Sequence, residues 1–153
     1  MCPNYKDFTG QVQHRIKADT QAEAVRTIRS VLETLGERVE EGGATDIASP
    51  LPMEIDRYLL QVAHGQTYNY DEFVDSVVAR LNYDDLDLKA SYGRPSNVDR
   101  AEAVYRTKAV VALLSETVPG GEIAHVEEQL PVEFDNLFEF VDLETPPWEQ
   151  ESN

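Results

Sequence analysis

The sequence predicts an all-α protein: two related four-helix units packed about a pseudo-twofold axis as one domain. Three observations lead there. Apolar residues recur at spacings of three and four, and no segment alternates with the period of two that marks a strand. The chain also repeats itself: shifted by 79, residues 22–56 fall on residues 101–135 with 13 identities in 35 ungapped positions. Finally, 153 residues that are 41% hydrophobic suffice for one core of ordinary size. One copy alone would be marginal.

The repeat organises everything else, and a period this long in two copies indicates a duplicated domain rather than a solenoid. Ala22-Glu23-Ala24-Val25 meets Ala101-Glu102-Ala103-Val104. Val31, Leu35, Glu37, Val39 and Gly42 meet Val110, Leu114, Glu116, Val118 and Gly121. Leu51-Pro52-x-Glu54-x-Asp56 meets Leu130-Pro131-x-Glu133-x-Asp135. Upstream the shift is 65, and Tyr5, Phe8, Val12 and Arg15 meet Tyr70, Phe73, Val77 and Arg80. The difference of 14 residues is an insertion in the second copy, within Asn82 to Val98.

In the first copy, Tyr5, Phe8, Val12 and Ile16 form the apolar stripe of a first helix. Thr20 caps a second, with Glu23 three residues on completing a capping box. Its stripe is Val25, Ile28, Leu32, Leu35 and Val39, flanked by Ala24 and Val31, and Gly42-Gly43 ends the region. A short third helix is expected over 44–49. Pro52 suits the first turn of a fourth, where its missing N–H is no loss, and Ile55, Tyr58, Leu59 and Val62 would be buried there. The second copy reads alike. Tyr70, Phe73, Val77 and Leu81 come first; then Asp99 as cap with Glu102, and Val104, Val111, Leu114 and Val118, with Thr107 as a polar exception. Val126 and Leu130 lead to Pro131, Phe134, Leu137, Phe138 and Val141.

The expected organisation is an N-terminal tail over 1–4 and a first repeat over 5–62. A linker over 63–69 leads to a second repeat over 70–141 with the insertion 82–98. A disordered tail follows over 142–153. The short linker lacks the composition of a spacer, which favours a packed pair over two beads on a string.

Asp and Glu number 29 against 13 Lys and Arg, a formal charge of −16. The acid is spread along the chain rather than gathered in an interaction tail. Such like charge opposes compaction in dilute salt and is screened within about 3 Å at molar salt. The composition therefore reads as halophilic, with haloarchaea the expected source. It argues against binding a phosphate backbone, although high salt weakens that argument. The longest apolar run, Ala109 to Leu114, is too short to span a membrane. The opening residues have no signal-peptide core, so a cytoplasmic protein is expected. Cys2 is the single cysteine, which excludes an intramolecular disulfide framework.

Taken together, Tyr5-x-x-Phe8…Val12-x-x-Arg15, Ala24-Val25-Arg26 and Leu51-Pro52-x-Glu54, all echoed in the second half, resemble a prokaryotic family. This is the domain of unknown function 2267, and the likeness is strongest to haloarchaeal members, over about residues 5–141. The resemblance implies an all-helical cytoplasmic protein and brings no catalytic residues.

Motifs for chemistry are sparse. Glu54 with Asp56, and Glu133 with Asp135, could be read as acid/base or metal pairs. Residues two apart on a helix diverge, however, and first-turn carboxylates stabilise the helix end. Arg15 and Arg80 recur inside apolar stripes; each is expected to pair with an acid of its own copy's Leu-Pro element, pinning the first helix to the fourth. His14, His64 and His125 have no partner at metal-ligand spacing. Asp84-Asp85-x-Asp87 lacks the glycine and glutamate of a calcium loop. No cofactor and no catalytic residue is expected. The insertion breaks the duplicated plan, so its Tyr83, Tyr92 and Arg94 are the candidate binding residues, with Trp148 as a possible docking group.

The function expected is a non-enzymatic protein-interaction or regulatory module with a protein partner, and a homodimer is possible. One alternative is a DNA-associated regulator with helix-turn-helix-like units, which a face clustering Arg26, Arg29, Arg38 and Lys108 would favour. The other is an enzyme with a site between the repeats, which requires a pocket with converging displaced titratable groups.

Overall fold

The structure, a computed structural model, describes residues 5–81, 99–118 and 122–139. These form helices and, among the described residues, no strand. The helices are α1 (Tyr5–Ile16), α2 (Gln21–Arg38), α3 (Glu41–Ala48), α4 (Met53–Leu60), α5 (Tyr70–Leu81), α6 (Arg100–Thr117) and α7 (Glu122–Gln129), followed by a 3₁₀ helix (Val132–Phe138). The insertion 82–98, the expected tail 142–153 and residues 140–141 of the second repeat lie outside the described residues.

Local chemistry sets the ends of the long helices. Thr20 Oγ1 accepts from Glu23 N at 3.2 Å, and Asp99 Oδ1 from Glu102 N at 2.9 Å. These are the forward halves of the expected capping boxes. The side chains of Glu23 and Glu102 turn elsewhere, as shown below. At the end of α1, Lys17 takes the left-handed conformation (φ 58°). Ala18 N then reaches Gln13 O at 3.0 Å, closing the helix in a position that usually holds glycine.

The four long helices form a bundle. α1 packs on α2 and α6, α5 packs on α2 and α6, and α2 also touches α6. The short helices cover it: α4 on α2, α7 and the 3₁₀ helix on α6, with α3 joining α4 to α7. Contacts between the two halves are reciprocal in the register of the repeat. The first helix of each half meets the second helix of the other, second meets second, and third meets third. One buried cluster holds residues of both halves, among them Phe8, Ile28, Leu32, Phe73, Leu114 and Phe134. At about 25 cal/mol per Å², this shared burial is the main favourable term in joining them.

Several details differ from the sequence expectation: Tyr58 and Val62 are only half-buried, Val62 lying beyond the end of α4. Val25 and Val104 are only half-buried, while their neighbours Ala24 and Ala103 are fully enclosed. The rest of each stripe is buried as expected, Ile28, Leu32, Leu35 and Val39 at α2 and Val111, Leu114 and Val118 at α6, so the difference is confined to the start of each helix. The third helix begins at Glu41 and includes Gly42-Gly43, because glycine weakens a helix without forbidding it. The last element of the second half is a 3₁₀ helix. In seven residues, repeats of three and of 3.6 place Phe134, Leu137 and Phe138 on the same buried side, so spacing does not separate the two.

The linker does not hang free. Gly65 N donates to Val39 O at 2.9 Å and Gln66 N to Glu37 O at 2.7 Å. Arg38 Nε donates to Tyr68 O at 2.7 Å, and His64 Nδ1 lies 2.9 Å from Gly36 O. Residues 64–66 thus satisfy carbonyls at the C-terminal end of α2, which otherwise lack partners, and Tyr68 O accepts from Arg38. At Gly36 a Cβ would lie 2.6 Å from Leu59 O, so glycine permits the close approach of α2 to α4.

Two glycine replacements should therefore have opposite signs. Gly36→Ala should cost about 1–3 kcal/mol through forced displacement of α4. Gly10→Ala, whose Cβ meets no heavy atom within 4 Å, should gain about 0.5–1 kcal/mol in helix stability. Urea midpoints of the two variants check both.

Candidate functional site

The densest constellation of charged side chains lies on the seam between the halves. Arg15, at the last turn of α1, bonds Glu116 of α6 at 2.8 Å. Arg80, at the matching place on α5, bonds Glu37 of α2 at 2.9 Å, Thr34 Oγ1 at 2.6 Å and Glu33 at 3.6 Å. Glu37 and Glu116 are matched by the repeat, so the same ion pair is made twice, each time across the seam. This corrects the expected pairing with the Leu-Pro carboxylates of the same copy. The reason is distance. Glu133 accepts from Tyr70 N at the first turn of α5, whereas Arg80 stands at the last turn, about 15 Å away along the axis. Glu54 likewise lies beside Tyr5, at the opposite end of α1 from Arg15.

Arg106 is a third seam residue, and buried. Its Nη2 bonds Glu23 at 2.8 Å, its Nε bonds Glu102 at 2.9 Å and its Nη1 reaches Thr27 Oγ1 at 3.2 Å. Glu23 and Glu102 are matched positions, and so are Thr27 and Arg106. The guanidinium thus joins two corresponding carboxylates and touches its own counterpart. Those carboxylates are the ones expected to complete the capping boxes. Reading the segments singly misses Arg106; aligning the copies exposes it as a cation opposite a small polar residue inside a core stripe. Tyr105, beside it, donates its hydroxyl to Arg15 O at 2.9 Å.

The Leu-Pro carboxylates do not converge. Glu133 meets the start of α5, while Asp135 faces Glu127 of α7. Burial, then the charge and hydrogen bond of Asp135, raise the Glu127 pKa above the usual carboxylate value. Tyr68 is also raised, first by its hydrogen bond to Glu37 (2.7 Å) and then by burial. Tyr5 is raised by burial, then by Tyr58 and Glu54. Among the described residues no three His, Cys, Asp or Glu side chains are grouped to hold a metal ion. None of the described helices is long and apolar enough to cross a membrane.

The four cations whose clustering would favour a nucleic-acid face each have a partner within the chain. Arg29 bonds Glu33 at 3.0 Å and Lys108 bonds Glu139. Arg38 stacks 5.2 Å from the centre of the Phe134 ring, and Arg26 has a partner of its own. A cleft of about 460 Å³ opens between α1 and α6, lined by Lys6, Asp7, Phe8, Gly10, Gln11, Leu113 and Thr117; the three displaced groups do not line it. Met53 and Val132, the variable residues of the two Leu-Pro elements, are 77% and 80% exposed. Tyr83, Tyr92, Arg94 and Trp148 lie outside the described residues.

This helical chain belongs to the family described as uncharacterized conserved protein (DUF2267), whose profile matches residues 5–137. The match spans both halves. No curated protein matches the chain.

The seam sets a stability order. Arg106→Leu removes three hydrogen bonds and leaves two carboxylates facing each other; because these keep 27% and 42% exposure, the cost should be about 1.5–3 kcal/mol, that of lost hydrogen bonds to a charged group. Arg100→Ala removes bonds to Asp71 and Asp75 that lie largely in solvent, and should cost under about 1 kcal/mol. Urea denaturation of the two variants tests the order.

Proposed function

We propose that this protein is a non-enzymatic protein-interaction or regulatory module, built of two related four-helix units about a pseudo-twofold axis and working in the cytoplasm of a halophile. The observation that carries the reading is the matched exposure of Met53 and Val132. Single exposed apolar residues are common on any surface; here exposure recurs at the same position of both Leu-Pro elements. Burial of such a side chain is worth about 1.5–3 kcal/mol, which a protein partner covering both sites would recover. The insertion 82–98, with Tyr83, Tyr92 and Arg94, is proposed as a further contact.

Other observations support parts of this reading. Reciprocal contacts between halves are the pattern that a twofold relation generates. Arg29, Arg38 and Lys108 are each engaged by a partner within the chain, which favours a protein over a nucleic acid. Tyr5, Tyr68 and Glu127 do not converge on one pocket, which weighs against an enzyme site between the repeats.

Retention of partners from a lysate in multi-molar KCl provides the test. The tagged full chain is compared with Met53→Ser/Val132→Ser and with a chain whose residues 84–96 are replaced by a short linker. Loss of a partner with unchanged melting temperature is expected for the double variant; the same partners on all three chains reject the reading. The halophile reading predicts a higher melting temperature in multi-molar than in millimolar KCl, followed by circular dichroism, and equal stability rejects it.

A further inference from the structure

The outward face of α4 carries residues that the fold does not use. At 3.6 residues per turn, Met53, Arg57 and Leu60 fall within about 60° of one another around the helix axis. They stand opposite Ile55 and Leu59, which are fully buried. Met53 and Leu60 are exposed large hydrophobics, and Arg57 is exposed between them. The Arg57 guanidinium makes no ion pair with a described residue, although the chain has 29 acids for 13 cations. Asp56, half-buried on the flank of this stripe, makes none either.

The second half shows what the same positions do when they serve the fold. Asn136 and Glu139 are the residues matched to Arg57 and Leu60. Asn136 donates to the Tyr70 hydroxyl at 2.8 Å, and Glu139 bonds Lys108. Both tie the 3₁₀ helix to the bundle. On α4 their places hold an unbonded cation and an exposed leucine.

The stripe is complementary to itself. Two antiparallel copies of α4, related by a twofold axis passing between residues 56 and 57, set Met53 of each copy opposite Leu60 of the other. The same operation sets Arg57 opposite Asp56 of the second copy, level along the axis and on the same side of it. Each contact is made twice, as in any isologous interface. Apolar surface leaves water at both ends, and Arg57 gains the carboxylate it lacks.

We infer that α4 docks on α4 of a second copy of this chain, Met53 against Leu60 and Arg57 against Asp56. Eight residues of helix span about 12 Å, so the contact falls short of the 1,200 Å² or so of stable interfaces and the association is weak. The net charge of −16 opposes it in dilute salt and is screened at molar salt. The inference rests on the proposed protein contact at Met53 and names its occupant; Val132 takes no part.

Sedimentation equilibrium of the purified full chain in KCl of about 2 M, where charge is screened, provides the test. Loading from about 20 µM to about 1 mM covers weak association. A monomer–dimer equilibrium is expected. Arg57→Asp sets like charges opposite each other twice and should weaken the dimer at least about fivefold. Arg57→Asp/Asp56→Arg exchanges the charges and should restore it to within about threefold. Leu60→Ser should weaken it and Val132→Ser should leave it unchanged, with circular-dichroism melts reporting that each variant is folded. The inference is overturned by a monomer throughout the range, by a dimer that Arg57→Asp leaves unchanged, by an exchanged variant no tighter than Arg57→Asp, or by weakening in Val132→Ser. Retention of lysate partners is measured separately, so the reading of Met53 and Val132 as protein contacts stands or falls on its own.

Discussion

The arginine at the end of each half's first helix is held by a glutamate of the opposite half. Arg15 to Glu116 and Arg80 to Glu37 make the two segments dependent on each other in a way that apolar contact alone would not. Hydrophobic burial is non-directional; it would tolerate α1 sliding on α6. A guanidinium with a designated carboxylate sets the register. Arg106 adds a third constraint by holding Glu23 and Glu102 together. Its burial makes that arrangement costly to break, so the bundle is locked in one alignment.

Charge is divided unevenly over this frame. Every described cation except Arg57 lies on α1, α2, α5, α6 or the turn after α1. The covering helices are left rich in acid: Glu40, Glu41, Asp46, Glu54 and Asp56 in one half, Glu122, Glu127, Glu128, Glu133 and Asp135 in the other. The raised pKa of Glu127 beside Asp135 is a local sign of that crowding. The bundle is cross-linked internally by its cations, while the outer layer carries the excess negative charge into solvent.

Much of this architecture was legible in the residues. Stripes such as Phe8, Val12, Ile16 and Phe73, Val77, Leu81 are buried as spacing predicts, and Thr20 and Asp99 cap the helices they precede. Legibility ended where partners come from far along the chain. The recurrence of Arg15 and Arg80 announced a specific acid, but local reasoning looked within the same copy. Which end of a helix faces which carboxylate is a property of the assembled bundle. That Ala24 is enclosed while Val25 is only half-buried depends on what packs on the start of α2, which no single segment encodes.

The strap of residues 64–68 along the end of α2 has a topological consequence. Two molecules whose halves share one core could in principle trade halves, each first half embracing another molecule's second. Such domain swapping requires the connecting segment to straighten. Here that would strip main-chain bonds from Glu37 and Val39 and uncover Gly36 O. Straightening the connection would therefore cost hydrogen bonds that the closed chain makes at the end of α2.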